Sequence, residues 1–561
     1  MSNKFNPGLC CLCLSVALFV AACQSTEKPK EVDIVNMPEQ FEVRVSRNIK
    51  SALEYLLSNK GRINDSVVLA KDSIVNIIYS RNNYSPLWSR NEKWAPLGDS
   101  LYKFIEHSKE YGLFPGDYHY RALTGMRQII ASDTNAQRDA ALWSRADLML
   151  TDALVQLCKH LKQGHFDYDS VTLRKDTVLP AEFYTSVVDQ LKFTLNLRGL
   201  LQTLEPTNSN YVALKAALKQ FLDSVGPFRR YTFVQYPNSD SVALYSALQR
   251  RLFEEDIVLS PTDSLGPDGW REAIKTYQRM KGLKETGRPN INTINALNFT
   301  DWEKFKRVAV TLSRYRLLPD TMPQTYVLVN LPAYKLQVID ADTLVMESRV
   351  IVGAPKTRTP LLNSQISNFI TYPQWTVPYS IIFKEMLPQI QKSTEYLAKQ
   401  NLMVVDPRTD SIIHPDSINW KKLSKKNFPY LLKQRQGDDN SLGVLKFNFP
   451  NKYAVYLHDT NARWLFNQNN RALSHGCVRV KDFQKLANFL VRDDTIRYHP
   501  DTLRNWIRRQ EKHVVSGFPR VPIYLRYFSV EAKEGRLLFH EDIYGEDKIL
   551  RERYFADKAM L

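Results

Sequence analysis

Two residue types that support nucleophilic catalysis lie close together near the C-terminal end of the sequence. His458 follows a short β-type run, Tyr453–Leu457, and Cys477 ends the motif Ser474-His475-Gly476-Cys477. A free thiol has a pKa of about 8.5, so a cysteine nucleophile needs a base held within reach. An imidazole at the end of a strand is held firmly enough to be that base. A buried structural cysteine beside a surface histidine is the alternative, and it is commoner for such a pair taken alone.

The turn around the cysteine has the features that an acyl-transfer site requires. Gly476 has no side chain, so the backbone can approach a reacting carbonyl closely. The backbone N–H groups near Gly476 and Cys477 could form an oxyanion hole for the charge that develops on that carbonyl. A helix is predicted next, because Asp482 is a plausible cap and apolar residues follow at helical spacing. These apolar residues are Phe483, Leu486, Ala487 and Leu490.

The spacing from His458 to the Ser-His-Gly-Cys motif, with an apolar residue after it, resembles the signature of the YkuD-type L,D-transpeptidases. These enzymes cross-link the bacterial cell wall. Further stretches of the sequence resemble the large, multidomain periplasmic branch of that family. They are Tyr456–Thr460, Leu465–Asn467, Arg471–Leu473 and Gly476–Val480, with Asn440–Gly443, Gly353 and Thr359-Pro360 upstream.

The resemblance implies a transferase that forms 3–3 peptidoglycan cross-links through a cysteine thioester. Cys477 would attack the carbonyl of the third residue of a donor stem peptide and release the D-Ala at the fourth position. His458 would act as the general base and then as the acid for the leaving amine. An acceptor amine from a second stem peptide would resolve the thioester. No metal and no organic cofactor are implied, and carbapenems are expected to acylate Cys477.

The resemblance also assigns the residues around this pair. Gly476 is expected to supply an oxyanion-hole amide, and His475 to shape the oxyanion loop. The backbone carbonyl of Asp459 is expected to orient the imidazole. Arg479 could pair with a substrate carboxylate or only brace the loop, and the sequence leaves both open. The residues predicted to bind substrate are Ser474, Arg479, Asp459 and Tyr456.

Two other functions remain open on the sequence. The same thioester chemistry would serve a hydrolase, either an L,D-carboxypeptidase or a cysteine endopeptidase that cuts stem peptides. A non-catalytic lipoprotein that binds the wall is the second, and the presence of both Cys477 and His458 argues against it.

Residues 1–23 are predicted to be a lipoprotein signal peptide. The apolar run Leu9–Ala22 is too short to span a bilayer comfortably, but it suits a signal-peptide core. The run leads into Val20-Ala21-Ala22-Cys23, which resembles a lipoprotein cleavage box, so Cys23 is the expected lipidation site. An ordinary signal peptide cut elsewhere is the alternative. The predicted location is the periplasm, with a lipid anchor, and Gln24-Ser25 favours the outer membrane over the inner one.

The cysteine content agrees with a free catalytic thiol. Six cysteines are present, of which three would leave with the signal peptide and Cys23 would carry the lipid. Cys158 and Cys477 remain, and a disulfide between them would silence a nucleophile. An exported protein without a disulfide framework fits a catalytic Cys477, whereas Cys158 lies in a helical pattern and is predicted to be core.

The length of 561 residues predicts two to four domains, and the patterning predicts a multidomain α+β protein. Residues 24–40 are polar and are predicted to be a tether. Residues 41–235 show mostly helical spacing and resemble the scaffold domain of the same branch. Residues 241–300 resemble a three-helix peptidoglycan-binding domain, and a purely structural helical module is the alternative. His160 and His165 lie near one another, but we found no carboxylate or cysteine at zinc-ligand spacing, so we expect them to be structural.

From Gln324 the apolar residues alternate, which predicts an antiparallel, β-rich catalytic domain over residues 324–545. Residues 380–439 interrupt the alternation with helical patterns. The resemblance implies that this segment is a helical capping insertion over the active site, and a decorative surface insertion is the alternative. The predicted strands are Tyr326–Leu331, Leu336–Ile339, Leu344–Val352 and Val521–Ser529.

The formal net charge of +17 suits contact with nucleic acid, anionic membranes or acidic polymers. We found no nucleic-acid-binding motif. The charge alone decides little between the other partners. The family resemblance implies donor and acceptor stem peptides of peptidoglycan as partners, and the predicted lipid anchor implies a membrane. The sequence leaves the oligomeric state open.

Overall fold

The computed structural model describes residues 28–63, 67–166, 178–262, 265–319 and 321–560. The predicted signal peptide, including Cys23, lies outside these residues. The chain divides into two compact units, Met1–Asp99 with Ala122–Val155 and Ser100–Arg121 with Gln156–Leu561. Within the described ranges, no helix has the length and apolar character needed to cross a membrane.

The tether predicted over residues 24–40 is shorter than expected. Asp33 and Val35 are buried, and the Asp33 backbone N–H donates to Asp139 Oδ1 at 2.8 Å. Helix α1, Pro38–Ser58, also begins inside this range, because proline fits the first turn of a helix without losing a hydrogen bond. Residues 33–40 therefore belong to folded structure rather than to a tether.

Helices fill most of the region predicted to be a scaffold. Long amphipathic patterns form long helices here, and the turn-rich aromatic stretches between them form short ones. The elements are α2 Asp72–Arg81, β1 Ser89–Arg90, β2 Lys93–Trp94, α3 Pro96–Glu106, α4 Tyr120–Ser132, α5 Thr134–Gln137, α6 Ala140–Gln163, α7 Ala181–Thr194, α8 Leu197–Gln202 and α9 Ser209–Val225. Most side chains of α6 are buried on all sides, as expected of a helix with little polar surface.

Three further helices form the small helical body predicted over residues 241–300. They are α10 Ser241–Phe253, α11 Pro267–Met280 and α12 Ile291–Asn298, and α13 Asp301–Tyr315 follows. Asp240 and Asn290 cap α10 and α12 by accepting backbone N–H groups of the first turn. Tyr277 and Leu297 are fully buried between the three helices.

The C-terminal domain is built on one eleven-stranded sheet. Its strands are β3 Thr325–Asn330, β4 Lys335–Asp340, β5 Thr343–Gly353, β6 Leu362–Ile366, β7 Asn368–Thr371, β12 Leu445–Asn448, β13 Leu457–His458, β14 Ala472–Ser474, β15 Val478–Val480, β16 Val514–Val515 and β17 Val521–Arg526. Ten of them follow the order β16-β7-β12-β13-β15-β5-β4-β3-β17-β6, and β14 pairs with β5. The α+β class is confirmed, but the sheet is mixed, because β13–β15, β14–β5 and β17–β3 are parallel.

Helix α19, Glu546–Phe555, begins just after residue 545, the predicted end of this domain. It shares a buried core with α13. Arg314 of α13 and Asp547 of α19 form an ion pair that is almost fully buried. The remaining elements are α17 Phe483–Leu490, α18 Pro500–Arg508, β18 Val530–Lys533 and β19 Arg536–Phe539.

The predicted insertion occupies the connection between two neighbouring antiparallel strands. β7 and β12 meet at the Thr371–Leu445 pair, and residues 372–444 leave and return there. We call this segment the cap. It is not only helical: a four-stranded antiparallel sheet, which starts before residue 380, packs against its helices around their own core. Its elements are β8 Trp375–Thr376, α14 Tyr379–Ile381, a π-helical turn Ile382–Met386, α15 Leu387–Ile390, α16 Glu395–Lys399, β9 Leu402–Val405, β10 Ile412–Ile413 and β11 Leu431–Gln434.

Two local predictions near the cysteine are wrong in part. Strand β13 contains only Leu457 and His458, because the chain turns before them and Ala454 has a φ of +53°. Asp482 does occupy the N-cap of α17, but its carboxylate accepts a hydrogen bond from Ser348 Oγ at 3.0 Å rather than from the helix.

Candidate active site

Three side chains lie in register across the sheet where Cys477 enters β15. Strand pairing puts Lys446 of β12 opposite His458 of β13, and His458 opposite Arg479 of β15. Residues in register on adjacent strands share a face of the sheet. Cys477 directly precedes β15, and His458, Cys477 and Arg479 all line one cavity of about 490 Å³. The structure thus brings the sequence-predicted cysteine and histidine to one site.

His458 is buried, with 5% of its surface exposed. Desolvation, reinforced by the positive charges of Arg479 and Lys446, lowers the pKa of the imidazole to about 3. Backbone hydrogen bonding with Asp459 and with Leu442 raises the pKa of His458 and so opposes this shift without reversing it. The imidazole is therefore neutral at neutral pH.

Burial also decides the resting state of the thiol. Desolvation raises the pKa of Cys477, although backbone and hydroxyl hydrogen bonds from Tyr456 and the charges of Lys446 and Arg479 act in the opposite direction. The cavity therefore holds a neutral thiol and a neutral imidazole, not a preformed thiolate–imidazolium pair. Cys158, the other free thiol among the described residues, is buried in α6, and burial raises its pKa to about 12.

Hydrogen bonds inside the cysteine loop bear on two of the predicted site residues. Ser474 Oγ donates to the Cys477 carbonyl at 2.5 Å and accepts the Gly476 N–H at 3.2 Å. Ser474 therefore braces the loop, and it also lines the cavity. The Gly476 amide is already engaged, so it is not free to hold an oxyanion. Gly476 has a φ of +119°, which favours glycine for its backbone conformation.

A second set of hydrogen bonds links this loop to Gly353, at the end of β5, and to Thr359 just after it. Thr359 Oγ1 accepts the Gly353 N–H and donates to the Gly476 carbonyl, both at 2.8 Å. Tyr544 donates its hydroxyl to the Gly353 carbonyl at 2.7 Å. A β-carbon on Gly353 would lie 2.2 Å from the Thr357 carbonyl oxygen, so only glycine fits. The sequence singled out Gly353 and Thr359 but gave no signal for Tyr544, which lies far along the chain.

Asp459 does not face the cavity as a substrate-binding residue. Its side chain is fully buried, and it accepts the Val444 N–H at 3.0 Å and a bidentate pair of bonds from Arg463. Gly443 has a φ of +59°, and a β-carbon there would lie 2.3 Å from Asp459 Oδ2. This contact explains the match over Asn440–Gly443: the glycine allows the carboxylate beside His458 to pack against the chain.

The cap forms the other wall of the cavity. Trp375, Lys384 and Glu385 of the cap line it together with Tyr456 and His475. His475 is half-exposed, and its Nε2 lies 2.7 Å from Glu385 Oε1 on the π-helical turn. π-Helical turns are frequent at functional sites. His475 therefore connects the cysteine loop to the cap, a contact that the sequence does not reveal.

A comparison with protein families gives this arrangement a context. Residues 324–497 match YkuD, the L,D-transpeptidase catalytic domain, residues 73–218 match the Scaffold domain, and residues 239–297 match the "Putative peptidoglycan binding domain". The chain therefore carries a YkuD-type L,D-transpeptidase catalytic domain, which follows a scaffold domain and a peptidoglycan-binding domain in the sequence. These matches support a transpeptidase or a related enzyme.

A curated relative agrees with this assignment. The "Putative L,D-transpeptidase" of Haemophilus influenzae is 36% identical over 244 residues, which are 43% of this chain and 48% of that protein. This chain thus spans about half the length of the curated relative it matches.

Solved structures of similar proteins are distant. L,D-transpeptidase 1 of Mycobacterium tuberculosis is 13% identical over 36% of this chain and 61% of its own, with a TM-score of 0.14. The L,D-transpeptidase of Stackebrandtia nassauensis is 13% identical over 50% and 89%, with a TM-score of 0.16. That of Xylanimonas cellulosilytica is 14% identical over 54% and 98%, with a TM-score of 0.15. Scores this low support no argument about this chain.

Proposed function

We propose that this protein is a murein L,D-transpeptidase that forms 3–3 peptidoglycan cross-links through a thioester on Cys477. The observation that carries the proposal is the shared cavity of about 490 Å³, which holds the thiol, His458 and Arg479 beneath the cap. A cavity of this size accepts a peptide end. The domain that surrounds it matches the L,D-transpeptidase catalytic domain.

The neutral resting pair defines the order of proton transfer. His458 accepts the thiol proton as Cys477 Sγ attacks the carbonyl of the third stem residue, so the thiolate forms during attack. The C–N bond to D-Ala then breaks, and His458 returns the proton to the leaving amine. An acceptor amine attacks the thioester next, the C–S bond breaks, and His458 carries a proton from the amine to the sulfur.

The oxyanion of both steps needs a backbone donor that is not already engaged. The Gly476 N–H is bonded to Ser474, whereas the Cys477 N–H has no acceptor among the residues that the structure describes. The Cys477 amide is therefore our choice for the oxyanion hole. His475, which directly precedes Gly476, holds the loop through its contact with Glu385.

Positive charge at the site suits an anionic donor stem. Arg479 lines the cavity, and its Nε has no hydrogen-bond partner among the described residues. Lys446 lies on the other side of His458, with Nζ 4.2 Å from the centre of the Tyr456 ring. We assign Arg479 to a stem-peptide carboxylate, because guanidinium groups bind carboxylates through two parallel bonds. Tyr456 contributes a cavity wall and a hydroxyl near the sulfur.

The peptidoglycan-binding domain and the catalytic chemistry both fit a periplasmic protein whose partners are peptidoglycan strands. We propose further that Cys23 carries a lipid that anchors the protein to the outer membrane. The residues around Cys23 lie outside the described structure, so this part rests on the sequence alone. Cys23→Ala should move the protein from the membrane fraction to the soluble fraction while activity is retained. Continued sedimentation with membranes would refute the anchor.

Product analysis tests the proposed reaction. The full chain is incubated with purified tetrapeptide muropeptides, and the products are separated by mass. Cross-linked dimers with loss of D-Ala are expected, whereas tripeptides alone would mean that the protein is a hydrolase. Cys477→Ala should abolish both products, and His458→Ala should slow them by ~10²–10⁴-fold. Cys158→Ala is the matched control and should change neither, so retained activity in Cys477→Ala would refute the thioester.

A further inference from the structure

A second cluster of ligand-type side chains lies outside the candidate active site. Asp117 stands in a 3-10 turn, Pro115–Tyr118, His160 in the last turn of α6, and His165 just after that helix. One ligand atom from each of the three residues lies within 4.8 Å of the other two. The two imidazole rings stack with their centres 4.3 Å apart. The fold thus supplies the carboxylate that we did not find near His160 and His165 in the sequence.

Two polar atoms of this cluster face each other without a hydrogen bond. His165 Nε2 and Asp117 Oδ2 are buried and lie 3.5 Å apart, and neither has a hydrogen-bond partner among the residues that the structure describes. His165 is more than nine-tenths buried. The separation exceeds that of an ordinary N–H···O bond, which is 2.7–3.2 Å. It is close to the edge of a tetrahedron whose metal–ligand bonds are about 2.0–2.1 Å, which is roughly 3.3 Å.

The outer nitrogens of both imidazoles already have partners. The Tyr118 hydroxyl lies 2.8 Å from His160 Nδ1, and Ser313 Oγ lies 3.3 Å from His165 Nδ1. If His165 Nδ1–H donates to Ser313, His165 Nε2 keeps a lone pair that faces Asp117 Oδ2. Such outer hydrogen bonds fix the tautomer of histidines that bind metals.

We propose that Asp117, His160 and His165 form a binding site for one divalent transition-metal ion of the zinc type, with a further coordination position left open. Nitrogen and carboxylate ligands suit zinc and its first-row neighbours better than Mg²⁺ or Ca²⁺, which prefer oxygen ligands throughout. A cavity of about 340 Å³ reaches Asp117 and provides a route of entry.

One positive group competes for the same carboxylate. Lys558, near the C-terminus, forms an ion pair with Asp117 Oδ1. A metal ion on Asp117 Oδ2 would therefore meet a charge of its own sign nearby. This gives the site a property that a purely structural cluster lacks: removal of the Lys558 charge should strengthen metal binding.

Metal titration of the untagged full chain tests the proposal. The Cys477→Ala background is used throughout so that the active-site thiol cannot bind metal. Zn²⁺ should bind once per chain in calorimetry, and Co²⁺ should give visible absorption bands that Zn²⁺ displaces. Mg²⁺ and Ca²⁺ should not compete. Asp117→Asn and His165→Gln should each weaken Zn²⁺ binding at least tenfold, and Lys558→Gln should tighten it.

A matched pair elsewhere serves as the control. His499 and Asp501 also have a nitrogen and a carboxylate oxygen 3.5 Å apart, but both are exposed. Asp501→Asn should leave Zn²⁺ binding unchanged. Absence of binding at micromolar Zn²⁺, or binding that survives both ligand variants, would overturn the proposal. If a ligand variant fails to fold, Lys558→Gln decides, because weaker or unchanged binding in that variant contradicts the site.

Discussion

Gly443 lies behind the candidate catalytic histidine, and replacing it with alanine should damage both stability and activity. Its φ of +59° is left-handed, a conformation that costs alanine ~1–2 kcal/mol. The new β-carbon would also lie 2.3 Å from Asp459 Oδ2 and 2.6 Å from the Thr460 nitrogen. Forcing a methyl group into such a space adds ~1–3 kcal/mol. The expected loss of folding free energy for Gly443→Ala is therefore about 2–5 kcal/mol.

The same variant should slow acylation of Cys477. Asp459 follows His458 directly, so a displaced carboxylate moves the imidazole away from the thiol. Calorimetry of the full chain measures the unfolding transition of the catalytic domain. Intact-protein mass spectrometry measures the rate at which a carbapenem adds to Cys477. A fall of tenfold or more is expected, because small misplacements of a catalytic group are costly.

Gly545→Ala separates the cost of the left-handed backbone conformation from the cost of the steric contact. Gly545 also has a left-handed backbone, with a φ of +70°, but a β-carbon there would meet nothing within 4 Å. It should lose only the conformational ~1–2 kcal/mol and keep its acylation rate. Equal losses of stability in the two variants, with acylation intact in Gly443→Ala, would refute the argument from the Asp459 contact.

Two further predictions concern the imidazole and the cap. Because the pKa of His458 is lowered to about 3, its base form persists in acid, and carbapenem acylation should change little between pH 7 and pH 5. For an ordinary imidazole with a pKa of 6.5, the fraction in the base form would fall about 25-fold between pH 7 and pH 5. A rate profile with a midpoint near 6.5 therefore contradicts the burial argument. Glu385→Gln, which removes the charge that pairs with His475, should lower cross-linking of muropeptides about two- to fivefold, the range expected for a half-exposed pair. The control is Glu395→Gln, which breaks an exposed pair on the same cap and should have no effect; equal losses in both would show that the Glu385 contact is not specific.

The sequence predicted those parts of the site that a local pattern encodes. Cys477 and His458 could be found because the motif and its spacing lie in one stretch of chain. Lys446 could not, because its place beside His458 depends on the register between β12 and β13. Glu385 was missed for the same kind of reason, since its contact with His475 depends on how the cap folds back.

Asp459 shows why a neighbour in sequence can be misassigned. It was predicted to bind substrate because it follows His458 and belongs to the matching motif. Along extended chain, however, successive side chains point to opposite faces. With His458 at the cavity, Asp459 is directed into the packed side, where Val444 and Arg463 satisfy it.

The fold class and the helices of the scaffold and small helical body followed from periodicity, whereas the domain limits did not. Helix α19 lies beyond residue 545, and its inward face is recognisable only from its contacts with α13. Parallel pairings such as β17 with β3 join segments that are distant in sequence, and no local pattern distinguishes them from antiparallel ones.

The position of the cap between β7 and β12 has a consequence for the order of folding. Pairing two strands across a flexible loop of this length costs about 2 kcal/mol more than closing a short turn. Inside the cap, however, β8 and β11 already pair through Trp375 and Gln434, which brings the two ends of the segment together. A cap that forms first would therefore remove most of that entropic barrier. Leu432→Ala, in the core of the cap, should then slow refolding of the main sheet in stopped-flow experiments, and an unchanged refolding rate would contradict this order.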